Sequence, residues 1–185
     1  MPGVTSTHRR LTYDELSRWP DDGRRYELYD GEVFVVPSPL PLHQIAAARL
    51  YLALEGYVRE HGGIVLFAPL DIVLTDYDCV QPDILMFTAE RVHLIDPRKV
   101  TRYPPDLAIE ILSSSTSRND RGRKRQLLAR HGVREYWLVD PEEPAVEVFA
   151  LESRDLVLVD AAAGDARVGS RLLPDLAIRP DSLVP

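Results

Sequence analysis

The chain has 185 residues, with 22 Lys or Arg against 29 Asp or Glu, a formal charge of −7, and a composition 45% hydrophobic and 28% charged. These values exclude disordered, collagen-like and coiled-coil classes, and the length suits one domain that buries roughly 70% of its unfolded surface without a metal or disulfide staple. A pI near 5.2 argues against coating nucleic acid by bulk charge and leaves room only for a local basic site. Cys79 is the single cysteine, so neither an intrachain disulfide nor a cysteine-ligated zinc cluster is expected. No apolar run approaches the ~20 residues of a membrane span. The opening MPGVTSTHRR has no apolar segment behind its charges, so a secretory leader is not expected and a cytoplasmic location is.

From Leu11, LTYDELSRW predicts a short helix with Thr12 as N-cap and Glu15 three residues on, a capping-box spacing. RYELYDGEVFVV alternates across Asp30-Gly31 and predicts a hairpin. After PSPLPL, a long helix is expected from His43 to Glu60, presenting Ile45, Leu52 and Val58 and stopped by Gly62-Gly63. IVLFAPLDIVL, VQPDILMF and LAIEIL predict three strands, and Ser115 to His131 a second helix, with Ser117 and Asp120 at capping-box spacing and Gly132 at its end. REYWLVD predicts a strand, AVEVFAL and DLVLVD a hairpin, and LLPDLAIRP a short strand or turn along an edge. This order implies an α/β (α+β) domain, a mixed sheet flanked by helices. Within one domain over 1–185, a helix and hairpin occupy about 11–36, a core about 40–152 and C-terminal strands about 153–182.

Three residues resist a structural explanation. Glu110 sits inside the apolar LAIEIL strand. A buried unpaired carboxylate costs several kcal/mol, so unless it faces solvent on an edge strand it must meet a cation, donors or a metal. Asp83 follows Pro82 and opens another apolar strand. If the two strands are neighbours, the carboxylates can share a divalent ion, since magnesium takes one or two carboxylates with water and phosphate. On the following helix Lys124, Leu127, Leu128 and His131 fall at i, i+3, i+4 and i+7, with Asp120 one turn earlier. Lys124 therefore shares the sheet-facing stripe, either snorkelling outward or reaching Glu110.

Charge concentrates at the same place. Residues 118–134 hold seven Lys or Arg and one acid, a local +6, which leaves −13 for the other residues. A solvated helix face explains such a run. So does a phosphate backbone passing over Arg121, Arg123 and Arg125, with the serines at 113–117 offering hydroxyls and amides to an anion.

Pro82-Asp83, Glu110 and Lys124 resemble the PD-(D/E)xK nuclease signature. More closely, YELYDGEV (26–33), PSPLPLHQ (37–44), QPDILMF (81–87), the long run 104–141 and AVEVFAL (145–151) resemble the Uma-two family of bacterial restriction endonucleases, long catalogued as a domain of unknown function. The resemblance implies a restriction-endonuclease-like fold and a metal-dependent phosphodiesterase site, with Asp83 and Glu110 as ligands of Mg²⁺ (or Mn²⁺) and DNA as substrate. The E-x-K lysine position is Leu112 here, and Lys124 on the next helix fits the place the family uses instead. Glu27 and His43 match further polar positions, and Asp120 joins them as a supporting residue. Analogy with nucleases that cut two strands suggests a homodimer.

The expected function is thus an Mg²⁺-dependent endodeoxyribonuclease. The alternative is a catalytically inactive nuclease-fold module that binds nucleic acid or protein, favoured by the acidic balance and by Leu112. The chain carries no G-x-x-x-x-G-K-[ST] phosphate loop and no G-x-S-x-G around its serines, which disfavours a nucleotide phosphohydrolase and a serine hydrolase.

Overall fold

A computed structural model describes residues 9–185; residues 1–8, most of the segment in which no secretory leader is expected, lie outside the described residues. Among the described residues no helix is long and apolar enough to cross a membrane. The chain runs α1 (Tyr13–Leu16), β1 (Arg25–Tyr29), β2 (Glu32–Val36), α2 (Pro41–His61), β3 (Ile64–Phe67), β4 (Ile72–Thr75), β5 (Asp78–Val80), β6 (Ile84–Phe87) and β7 (Leu107–Ile111). Then come α3 (Ser117–Asn119), a π-helical turn (Asp120–Lys124) and α4 (Arg125–Arg130), followed by β8 (Glu135–Asp140), β9 (Ala145–Glu152), β10 (Asp155–Ala163), β11 (Val168–Gly169) and β12 (Ala177–Ile178). A six-stranded mixed sheet has the order β10-β9-β8-β7-β6-β3, and a four-stranded sheet the order β2-β1-β5-β4. Only β7 and β8 pair in parallel in the large sheet, because the helical segment 117–130 crosses between them.

Local chemistry explains most boundaries. Thr12 and Glu15 form the expected capping box on α1. Asp30 (φ 54°) and Gly31 (φ 79°) are both left-handed, as a two-residue hairpin turn requires, and a Cβ on Gly31 would come within 2.6 Å of the Arg10 Cβ. α2 begins at Pro41, two residues before the expected His43, because proline at the first helical position lacks only an amide that would be unpaired anyway. Its buried stripe is Ala46, Leu50, Leu54 and Val58, at intervals of four; Leu52 points outward and is 67% exposed.

Three expectations need correction. IVLFAPLDIVL is two strands in different sheets, since Pro69 has no amide to continue a ladder. VQPDILMF likewise breaks at Pro82, with Val80 ending β5 and Ile84 opening β6. The second long helix starts at Ser117 with Thr116 as its N-cap, and no side chain caps it, so the Ser117–Asp120 box does not form.

Alternation along the central strands sorts the core into two layers. Leu107, Ile109 and Ile111 of β7 face α2, together with Ile84, Met86, Trp137 and Val139. Ala108 and Leu112 face the other way, onto Leu127, Leu128 and Ala129 of α4. Glu110 shares the parity of Ala108 and Leu112, so it points into the layer between the two sheets.

Two further buried acids are structural. Glu135 accepts from Trp137 Nε1 (2.9 Å), Ser170 Oγ (2.6 Å), Arg171 N (2.8 Å) and Leu172 N (3.1 Å), tying the C-terminal segment to β8. That segment pairs β12 with β11 and packs Leu173, Ile178 and Leu183 into the α2 layer. Glu135→Ala strands these donors, so a loss of about 2–4 kcal/mol in urea unfolding is expected, with earlier proteolysis after residue 163.

Asp106, fully buried, accepts from Thr88 N (2.9 Å), Thr88 Oγ1 (3.0 Å) and Arg91 Nη1 (2.8 Å). Burial raises its pKa, but the Thr88 amide and hydroxyl and the Arg91 guanidinium outweigh it and hold the carboxyl below its ordinary range. A depressed folded pKa gives stability that is complete above the unfolded value of about 3.9 and is lost as pH falls through the folded one. Asp106→Asn is therefore expected to cost about 2–3 kcal/mol at pH 7, a deficit that narrows in unfolding curves taken below about pH 4.

Candidate active site

The two sheets leave a cleft of about 350 Å³ over the end of β7, bounded by β1, the approach to α2, and the loop from Ser113 to Thr116. Its floor is an acidic cluster around one lysine. Lys124, only 3% exposed, places Nζ 2.7 Å from Glu110 Oε1, 2.8 Å from Glu27 Oε1 and 4.0 Å from Asp120 Oδ1. The π-helical turn carries Asp120 and Lys124 together into the buried face. Such an inserted residue in an α-helical ladder recurs at functional sites. Asp83 stands beside β7: its Oδ2 accepts from the amide of Ile111 at 2.9 Å, and His43 Nε2 lies 3.1 Å from the same oxygen.

These groups are held by others around them. Glu27 Oε1 also accepts from the Gln81 backbone N–H at 2.7 Å, and its Oε2 from Tyr29 OH at 2.7 Å. Asn119 Nδ2 donates to that phenol oxygen at 2.9 Å. Tyr136 OH donates to the Asp120 carbonyl at 3.2 Å.

Glu27, Glu110 and Asp120 thus surround a single ammonium, and Asp83 lines the same cleft beside His43. The imbalance appears in the titration of Glu110 and Asp120. Burial pushes the Glu110 carboxyl well above the ordinary range; Lys124 opposes this, while Asp120, Asp83 and Glu27 add to it. Burial also raises Asp120, again against Lys124. For Lys124, burial favours the neutral amine, but Glu110, Glu27, Tyr29 and Asp120 more than offset it and hold the ammonium well above its usual pKa. Lys124 is therefore a cation at any physiological pH, and the acids compete for too little positive charge. Glu110 Oε1 meets Lys124 as an ion pair without an aligned hydrogen bond, and His43 Nδ1 and Gln81 Oε1 are likewise buried without hydrogen-bond partners.

Such a set suits a hard divalent cation, which seeks carboxylate oxygens and relieves excess negative charge. Among the described residues no group of three or more His, Cys, Asp or Glu side chains is placed to hold an ion. A site here would rest on two carboxylates, with water and substrate supplying the rest.

Of the residues expected from sequence, Asp83, Glu110, Lys124, Glu27, His43 and Asp120 all line this cleft. Arg121, Arg123 and Arg125 do not. Arg121 pairs with Glu147. Arg123 donates to Glu32 at 2.6 Å and to the Tyr29 carbonyl at 2.7 Å, over the rings of Tyr29 and Phe34. Arg125 lies over Phe149. Leu112, at the E-x-K position, packs in the core at 5% exposure. Sequence reasoning missed Tyr29, Gln81 and Asn119. Tyr29 could have been found, since it shares a strand face with Glu27 two residues earlier; Gln81 abuts the Pro82-Asp83 pair; Asn119 carried no signal.

Comparison with known proteins bears on the arrangement. The Uma2 family, described as "Putative restriction endonuclease", matches residues 13–181. An uncharacterized protein of Synechocystis sp., slr1290, is 28% identical over 149 residues, covering 76% of this chain and 74% of that protein. Among solved structures, a protein from Anabaena variabilis described as a putative nuclease belonging to DUF820 superposes with a TM-score of 0.79. It is 22% identical, and the match covers 94% of this chain and 97% of the other, a likeness of fold.

Proposed function

The chain belongs to the Uma2 family, and from that premise we propose that it is an endonuclease hydrolysing DNA phosphodiester bonds with Mg²⁺ (or Mn²⁺) in the cleft over β7. The observation that carries this reading is the convergence of Asp83, Glu110 and Lys124, from a strand entry, a central strand and a π-helical turn, on one largely buried acidic floor. Asp83 and Glu110 would hold the metal. A divalent ion held by them would supply Lewis acidity for phosphodiester hydrolysis. Lys124 holds a fixed positive charge where negative charge grows on the phosphate, or orients the attacking water. His43 holds Asp83 in place, and Glu27 holds Lys124. The hydroxyls of Ser113 and Thr116, 3.0 Å apart at the cleft wall, offer donors to phosphate oxygens.

The test is cleavage of supercoiled plasmid and of circular single-stranded DNA with Mg²⁺, Mn²⁺ or chelator. Metal-dependent scission that Asp83→Asn abolishes and Glu110→Gln lowers about 10²- to 10³-fold is expected; scission unchanged by both substitutions overturns the reading. Sedimentation of the same protein tests whether a homodimer presents two such sites, as cutting both strands of a duplex would require.

A second reading has its own observation. Lys124 is already held by Glu27 and Glu110, as in a closed structural ion-pair network. A catalytically inactive nucleic-acid- or protein-binding module then follows, and it predicts no heat of divalent-metal binding in calorimetry and no strand breaks.

A further inference from the structure

A second groove, of about 370 Å³, opens beside the cleft and shares Arg25, His43 and Asp83 with it. Part of its lining is apolar and exposed. Phe67, at the end of edge strand β3, is 60% exposed, and its ring meets Tyr51 of α2 edge to face with centroids 5.1 Å apart. Leu52, 67% exposed, belongs to the same lining. Apolar groups this open, next to a polar cleft, mark a binding surface.

We propose that this groove takes an unpaired nucleobase of the strand whose phosphate enters the cleft, so that the preferred substrate has single-stranded character at the cutting point. The inference rests on the nuclease reading and adds to it the substrate class. Continuity is the first argument: a strand with its phosphate at Asp83 has its neighbouring base beside Asp83 and His43, the residues that join the two cavities. Shape and chemistry are the second. A base has two flat apolar faces and a polar edge; the groove is lined both by Phe67 and Leu52 and by Arg25, Gln44 and His43. A paired base keeps both faces against its neighbours in the stack, whereas an unpaired one can present a face to an aromatic ring. Charge is the third. With a net −7, the chain attracts the dense charge of a duplex weakly, and stacking supplies affinity that does not depend on phosphate contacts.

Binding separates this inference from the cleavage it builds on. Fluorescence anisotropy with a labelled single-stranded oligonucleotide, the same strand carrying abasic sites, and the duplex would be read with Ca²⁺ in place of Mg²⁺, for the unaltered protein, Phe67→Ala and Phe67→Tyr. Phe67→Ala is expected to weaken single-strand binding roughly 5- to 100-fold, the abasic strand to lose a similar factor, and Phe67→Tyr to restore affinity. Because Phe67 is mostly exposed, the fold should tolerate the change, which thermal melting checks. Equal affinity for intact and abasic strands overturns the inference, as does the absence of single-strand binding by a protein that still cuts duplex. If Phe67→Ala instead turns a dimer into a monomer in sedimentation and leaves strand affinity unchanged, the groove is an interface between copies and the inference falls. Absence of cleavage alongside Phe67-dependent strand binding removes the nuclease reading and leaves the base site standing.

Discussion

Lys124→Met is expected to lower stability by about 3–5 kcal/mol in urea unfolding at neutral pH and to abolish DNA cleavage. The side chain is 3% exposed, and its ammonium lies within 2.8 Å of both Glu27 and Glu110. Methionine fills the same volume but leaves those carboxylates buried without a counter-charge, and breaking a buried pair from one side costs more than replacing both partners. The double variant Glu110→Gln, Lys124→Met should therefore recover part of the lost stability without recovering cleavage. A Lys124→Met protein as stable as its parent would mean that the cluster is hydrated and that Lys124 carries none of its electrostatic balance.

The second large effect runs the other way in stability. Glu110→Gln is expected to lower kcat/KM about 10²- to 10³-fold while leaving the melting temperature unchanged or raised. Burial among Asp120, Asp83 and Glu27 already pushes the Glu110 carboxyl up against the pull of Lys124, so the neutral isostere removes one of four competing negative charges. Glu27 remains to hold the ammonium. A carboxylate present only to stabilise the fold would give the opposite result, with lower stability and activity retained. Assay of cleavage rate and thermal melting on one preparation decides between them, and retained activity removes Glu110 from the site.

Much of this site was legible along the chain because its residues violate local rules. A glutamate in LAIEIL contradicts the apolar character of a central strand, and a lysine in register with Leu127 and Leu128 contradicts the character of a buried helix face. Each is costly unless the other is near, and the structure brings them to 2.7 Å. The hairpin at Asp30-Gly31 and the capping box at Thr12 and Glu15 were legible for a similar reason: each depends on a few adjacent residues with special backbone or hydrogen-bonding needs.

The role of the basic run was not legible in this way. Seven cations over 118–134 suggest a face for phosphate, yet Arg121 and Arg123 are paired with Glu147 and Glu32, 26 and 91 positions away. Local charge counts contain no information about partners supplied by distant strands. The strand breaks at Pro69 and Pro82 were visible as prolines, but which sheet each half joins depends on pairing across the molecule.

The sequence by itself determined the acidic balance, the alternation of strands and helices, and the presence of three charged groups too costly to bury alone, because these follow from side-chain chemistry and short-range periodicity. Only the tertiary structure decided that Glu27, Asp83, Glu110, Asp120 and Lys124 share one floor, that Tyr29, Gln81 and Asn119 orient it, and that an aromatic groove opens beside it. Those facts depend on the relative placement of two sheets and a crossing helix, set by packing between segments up to about a hundred residues apart, where no local pattern reaches.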